Sequence, residues 1–183
     1  MDEQTRTSLG HLGSTNKELQ YQAYMHLLEV TQEPVDWAYE VWDAMLAMLS
    51  DKDNHLRTIA AQLLCNLARS DPNKRILKDF AAIMAVTRDE KFVTARHTLQ
   101  AIWKIGLAGP EQRQMVADGL AHRFQECIAE KNCTLIRYDI LQDFRSLYNE
   151  TQDEALRVKA LALIETEDDL KYRKKYAGLW KVK

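Results

Sequence analysis

The chain is poor in residues that break or staple a fold. Its 183 residues include 3 prolines, 6 glycines and 3 cysteines. So few breakers exclude a turn-rich all-β barrel or sandwich, which needs one at nearly every strand end. Cys65, Cys127 and Cys133 are odd in number and spread along the chain. That excludes a disulfide framework and reads as thiols kept reduced. No apolar run approaches the ~18 residues of a spanning helix, so no membrane partner is expected. Met1-Asp2-Glu3-Gln4 is acidic and polar, unlike a secretory leader, and the expected location is cytoplasmic. There is no H-E-x-x-H, no glycine-rich phosphate loop and no G-x-S-x-G. No catalytic residue and no cofactor is therefore expected. His122, Cys127 and Cys133 contain no close ligand pair and lack a fourth member, so no metal is expected either.

What the chain does have is helix formers. Leu, Ala, Glu, Lys, Arg, Gln and Met dominate. A chain of this length buries roughly 70% of its unfolded surface, enough for one domain or a short repeat array. The net charge of −2 hides an asymmetry. Residues 1–170 hold 19 Lys and Arg against 27 Asp and Glu, whereas residues 171–183 hold 6 cations and no acid. An acidic body disfavours a large nucleic-acid groove, because phosphate contacts need clustered cations.

Apolar stripes at helical spacing run through most of the chain. Residues 1–15 lack periodicity and read as a flexible arm, with Ser14 or Asn16 available to cap the first helix. Leu19, Ala23, Leu27 and Val30 form the stripe of that helix, with Met25 and Leu28 alongside. Pro34 then opens a helix carrying Trp37, Val41, Trp42, Met45, Leu46 and Leu49. Asp51 begins a turn into a helix reaching about Arg69. Ile76 to Val86 and Phe92 to Ile105 make the next pair. It is closed by Gly106-Leu107-Ala108-Gly109-Pro110, the strongest stop signal present. Met115 to Ile128 and Leu135 to Leu147 make a third pair. Leu156, Ala160, Leu161 and Ile164 begin a last unit. Lys171 to Lys183 mixes cations with Tyr172, Tyr176 and Trp180 at i, i+4 spacing, which suits a capping helix with its cations in solvent.

The second helices reveal a period. Ala60/Leu64 is matched by Ala23/Leu27 37 residues earlier, by Ala95/Leu99 35 residues later, and by Ile140/Phe144 after a longer interval. Two helices per 35–45 residues mark an α-solenoid, since a lone pair cannot hide its apolar stripe and must stack on neighbours. Over residues 17–165 the chain resembles the HEAT/armadillo-like family. In that family an apolar-Arg pair opens the second helix, six residues after an Asp. Asp51 and Leu56-Arg57 match in full. Ile136-Arg137 and Leu156-Arg157 keep the pair, but Lys131 and Thr151 replace the Asp. The resemblance implies an all-α fold, a right-handed α-solenoid of HEAT-like helix pairs over residues 16–170. It also implies that Asp51, Arg57, Arg137 and Arg157 make polar contacts between stacked repeats.

Such arrays recognise other proteins on their concave face, lined by second helices. Arg96, His97, Gln100, Trp103 and Lys104 share one predicted helix, and aromatic and Arg residues there are typical anchors. Arg96, Gln100, Trp103, Lys104, Asp143 and Arg145 are the expected partner-binding face. The expected function is a non-catalytic scaffold for a protein or peptide. The alternative is a DNA-binding protein or an alkylated-base glycosylase of the HEAT-like class, which would recruit Asp139, Asp143, Trp103 and Arg145.

Overall fold

The computed structural model describes residues 1–181; Val182 and Lys183, the end of the expected C-terminal segment, lie outside the described residues. Among the described residues the chain is all helical and has no strand. It divides into two compact units, Met1–Ala101 and Ile102–Lys183.

The first unit holds three helix pairs: α1 (Glu3–His11) with α2 (Lys17–Val30), α3 (Ala38–Met48) with α4 (Asn54–Leu67), and α5 (Ile76–Val86) with α6 (Phe92–Leu99). The second helices form a row, with α4 packed against both α2 and α6. Small residues permit this approach: Ala23, Ala60, Ala61, Thr94 and Ala95 are all buried. Asn16 caps α2 by accepting from the amides of Glu18 and Leu19, and Asp53 caps α4 by accepting from His55. Each such cap contributes about 1 kcal/mol.

Within residues 1–15, expected to be a flexible arm, Glu3–His11 form α1. Asp2 accepts from the Thr5 amide at 2.7 Å and starts α1, and Thr5, Ser8 and Leu12 are buried. The Gln20 side chain donates to the Leu12 carbonyl at 2.7 Å and ties the α1–α2 connection down. The stripe of α1 is made of hydroxyl residues, so apolar periodicity does not reveal it.

The second unit begins with a 3₁₀ stretch, Ile102–Ala108, which packs on α7 (Pro110–Glu126) and α8 (Cys133–Thr151). Helix α9 (Glu154–Glu165) packs on both α7 and α8, and α10 (Leu170–Ala177) on α8 and α9. The expected helix from Phe92 to Ile105 therefore stops at Leu99. Ile102 and Ile105 are still fully buried, because a 3₁₀ spacing of three also returns side chains to one side. A similar change of pitch after α7 turns Cys127 into the core and leaves Ile128, expected on the buried stripe, 73% exposed.

The basic-aromatic segment forms α10 and a 3₁₀ turn, Gly178–Trp180. Tyr176 is fully buried, its ring against Phe124 and Tyr138, and its hydroxyl donates to the Thr134 carbonyl at 3.0 Å. Trp180 packs on Tyr148, while Lys171, Lys174, Lys175 and Lys181 remain exposed.

Candidate peptide groove on the first unit

Three polar ties hold the row α2–α4–α6 together. The Tyr24 hydroxyl donates to Gln62 Oε1 at 3.0 Å, joining α2 to α4. The Thr58 and Thr94 hydroxyls meet at 3.0 Å, and Asn54 Nδ2 donates to Thr94 Oγ1 at 3.3 Å, joining α4 to α6. Burial holds the Tyr24 phenol above its ordinary range, so it stays a neutral donor.

Along this row runs a groove of about 700 Å³, lined from all three helices. Its walls include Tyr21, Tyr24 and Met25 from α2, His55, Thr58 and Ile59 from α4, and Val93 and His97 from α6. The volume is within the ~300–1,000 Å³ of ligand and peptide clefts. Three of the lining apolar residues face solvent: Tyr21 is 58% exposed, Met25 45% and Val93 63%. Isolated exposed apolar residues are ordinary, but several meeting in one concavity are a recognition feature. Lys17 is the one Lys or Arg among the lining residues, and its ammonium stands 3.6 Å from the Asp53 carboxylate.

The expected partner-binding residues are distributed differently. Arg96 and Gln100 belong to the first unit, and Trp103, Lys104, Asp143 and Arg145 to the second. Arg96 is half-buried on α6, Gln100 is exposed at its C-cap, and Trp103 and Lys104 are half-buried in the 3₁₀ stretch. Arg145 lies over the rings of Tyr148 and Trp180, at 5.7 and 5.3 Å, and so packs the C-terminal segment. Asp143 is not a surface residue at all. It is 2% exposed, and one of its carboxyl oxygens has no hydrogen-bond partner among the described residues. Burial, reinforced by the Asp139 carboxylate one turn earlier, holds it well above the usual carboxylate range. Asp139 is likewise buried.

The four residues assigned to inter-repeat contacts also divide. Arg57 forms a fork to Asp89 at 2.6 and 2.8 Å and donates to the Asp51 carbonyl at 2.7 Å, joining the turn before α4 to the turn before α6. Arg137 donates to the Phe124 carbonyl at 3.2 Å and to Glu167 at 2.8 Å, joining the end of α7 to the turn after α9. The Asp51 carboxylate itself accepts from the Asp53 amide at 2.8 Å, a contact within its own turn. The carboxylate opposite Arg57 is therefore Asp89. Arg157 is exposed and pairs with Glu154 on its own helix at 3.1 Å.

Tyr21, Met25, His55 and Val93 were not among the expected binding residues. Met25, expected alongside the Ala23/Leu27 stripe, is instead exposed on the other side of α2, where it forms a second i, i+4 apolar pair with Tyr21.

Comparison with known proteins informs the fold alone. No protein-family model matches the chain. No curated protein matches it. The crystal structure of an engineered protein aligns over 98% of this chain and 95% of that one, with a TM-score of 0.52 and 14% identity. Among the described residues no helix is long and apolar enough to cross a membrane.

Proposed function

We propose that the protein is a non-catalytic binding module of the HEAT-like kind, and that it holds an apolar peptide segment of another protein in the α2–α4–α6 groove. The observation that carries this reading is the meeting of exposed Tyr21, Met25 and Val93 in one concavity. A Tyr and a Met suit the role, since an amphipathic ring and an adaptable thioether anchor segments of varied sequence. The groove has too few cations to track a phosphate backbone.

The test is selection from a displayed peptide library, followed by anisotropy titration of the enriched peptides. Apolar peptides should bind the wild-type chain, and the double variant Tyr21→Glu/Val93→Glu should weaken them by at least about 2 kcal/mol, or roughly 30-fold, as loss of hot-spot anchors does. Its melting temperature should stay near that of the wild type, because both side chains are exposed. Failure to enrich any peptide, or equal binding by the variant, would overturn the reading.

A further inference from the structure

The sequence separates Cys127 from Cys133 by five residues, but the fold closes that interval. Cys127 opens the 3₁₀ turn after α7, and Cys133 is the first residue of α8. Two successive turns connect them: the Glu130 amide donates to the Cys127 carbonyl at 2.8 Å, and the Cys133 amide donates to the Glu130 carbonyl at 3.0 Å. Side chains clamp the same segment. Arg123, fully buried, forks onto the Glu130 carboxylate at 2.6 and 2.8 Å. Arg137, one turn into α8, reaches back to the Phe124 carbonyl. The result is a Cys127 Sγ to Cys133 Sγ distance of 2.8 Å.

We propose that Cys127 and Cys133 form a dithiol redox site that reacts with a hydroperoxide to give an intramolecular disulfide. The sulfurs must approach by only about 0.8 Å to reach the ~2.05 Å of the bond, less than a rotamer adjustment supplies. The two thiols differ in access. Cys133 is half-buried, whereas Cys127 is fully buried and its thiol hydrogen-bonds toward the Phe124 carbonyl at 3.4 Å. Burial, and then the neighbouring Cys133 sulfur, push the Cys127 thiol up to about 12, with Arg137 and Arg123 pulling the other way. Cys133 is therefore the attacking residue and Cys127 the resolving one.

In the first step the Cys133 thiolate attacks one peroxide oxygen. The O–O bond breaks, the leaving oxygen takes a proton and departs as water or alcohol, and Cys133 becomes a sulfenic acid. In the second step Cys127 sulfur, giving up its proton, attacks the Cys133 sulfur. The S–O bond breaks and hydroxide leaves as a second water. Two thiols lose two electrons in all, and the peroxide gains them. A dithiol reductant reverses the change by exchange. Cys65 is buried in the core of the first unit and takes no part. This site lies wholly in the second unit and does not depend on the peptide groove.

Trypsin makes the test direct, because Lys131 lies between the two cysteines. The full chain is treated with a small excess of hydrogen peroxide, alkylated, and digested without reductant. The expected product joins peptide 124–131 to peptide 132–137, lighter than their sum by two hydrogens, and disappears with dithiothreitol. The Cys65 peptide should be recovered unoxidised. Cys127→Ser should stop the reaction at a Cys133 sulfenic acid, trapped by dimedone. Should that variant fold poorly, the wild-type digest decides alone. Over-oxidation of Cys133 without the cross-link, a disulfide between two chains, or recovery of both thiols unchanged would overturn the proposal.

Discussion

Two desolvated carboxylates show opposite solutions to one problem. Asp89 is held by the Arg57 fork, which keeps its carboxyl below the ordinary range. A depressed folded-state pKa contributes stability above the unfolded value of about 3.9, and that stability is lost as pH falls through the folded value. Arg57→Ala should cost about 3 kcal/mol at neutral pH, since it strands a desolvated charge. Thermal melts across pH should show the gap to the wild type closing below about pH 4. Asp143 instead keeps a carboxyl oxygen without a partner among the described residues, and its carboxyl is held high. Here the folded state keeps its proton while the unfolded state ionises, so stability is full below about pH 3.9 and is lost as pH rises toward the folded value. Asp143→Asn should therefore stabilise the protein at pH 7, because an amide stays neutral in that site without holding a proton. The gain should fade on acidification.

At the scale of elements, close approach is decided by single small residues. A Cβ on Gly106 would come within 2.6 Å of Leu147 Cδ2 on α8 and 3.4 Å of the Arg113 backbone on α7. Gly106→Ala should cost about 1–3 kcal/mol through overpacking. Leu147→Ala alone should cost about 2–5 kcal/mol as a cavity. Combined, the two should cost less than their sum, because each relieves the other's defect. Urea unfolding of the four chains in a double-mutant cycle measures that coupling. Gly106 has no positive φ, so its need is space rather than backbone freedom. The repeat pattern does not distinguish these cases, and the stop signal at 106–110 reads as punctuation where the structure shows a packing contact.

For the molecule as a whole, charge and exposure point in different directions. The net charge is small, and the groove of the first unit is an apolar concavity with a single lysine among its lining residues. Peptide binding there should accordingly change little between low and physiological salt. Binding to a DNA duplex, if it governed function, would weaken steeply over the same range, by about one power of salt per phosphate contacted. Anisotropy titrations at two salt concentrations separate the two.

The sequence by itself determined that the chain is helical, where most helices begin and end, and most of the buried stripes, with Leu19 and Ile128 exposed instead. Those properties depend on local spacing, caps and breakers, and Ala60, Leu64, Phe144 and Ile164 are buried where periodicity placed them. What only the tertiary structure decided were the pairings between distant segments. Asp89 lies 32 residues from Arg57, and no spacing rule chooses it over Asp51. The groove requires α2, α4 and α6 to lie side by side before Tyr21, Met25 and Val93 share a concavity. The cysteine pair depends on two turns and two arginine clamps, none of which leaves a periodic trace. Helix-forming residues act over one or two turns and can be read along the chain, whereas a site is a set of coincidences between elements and exists only once they have packed.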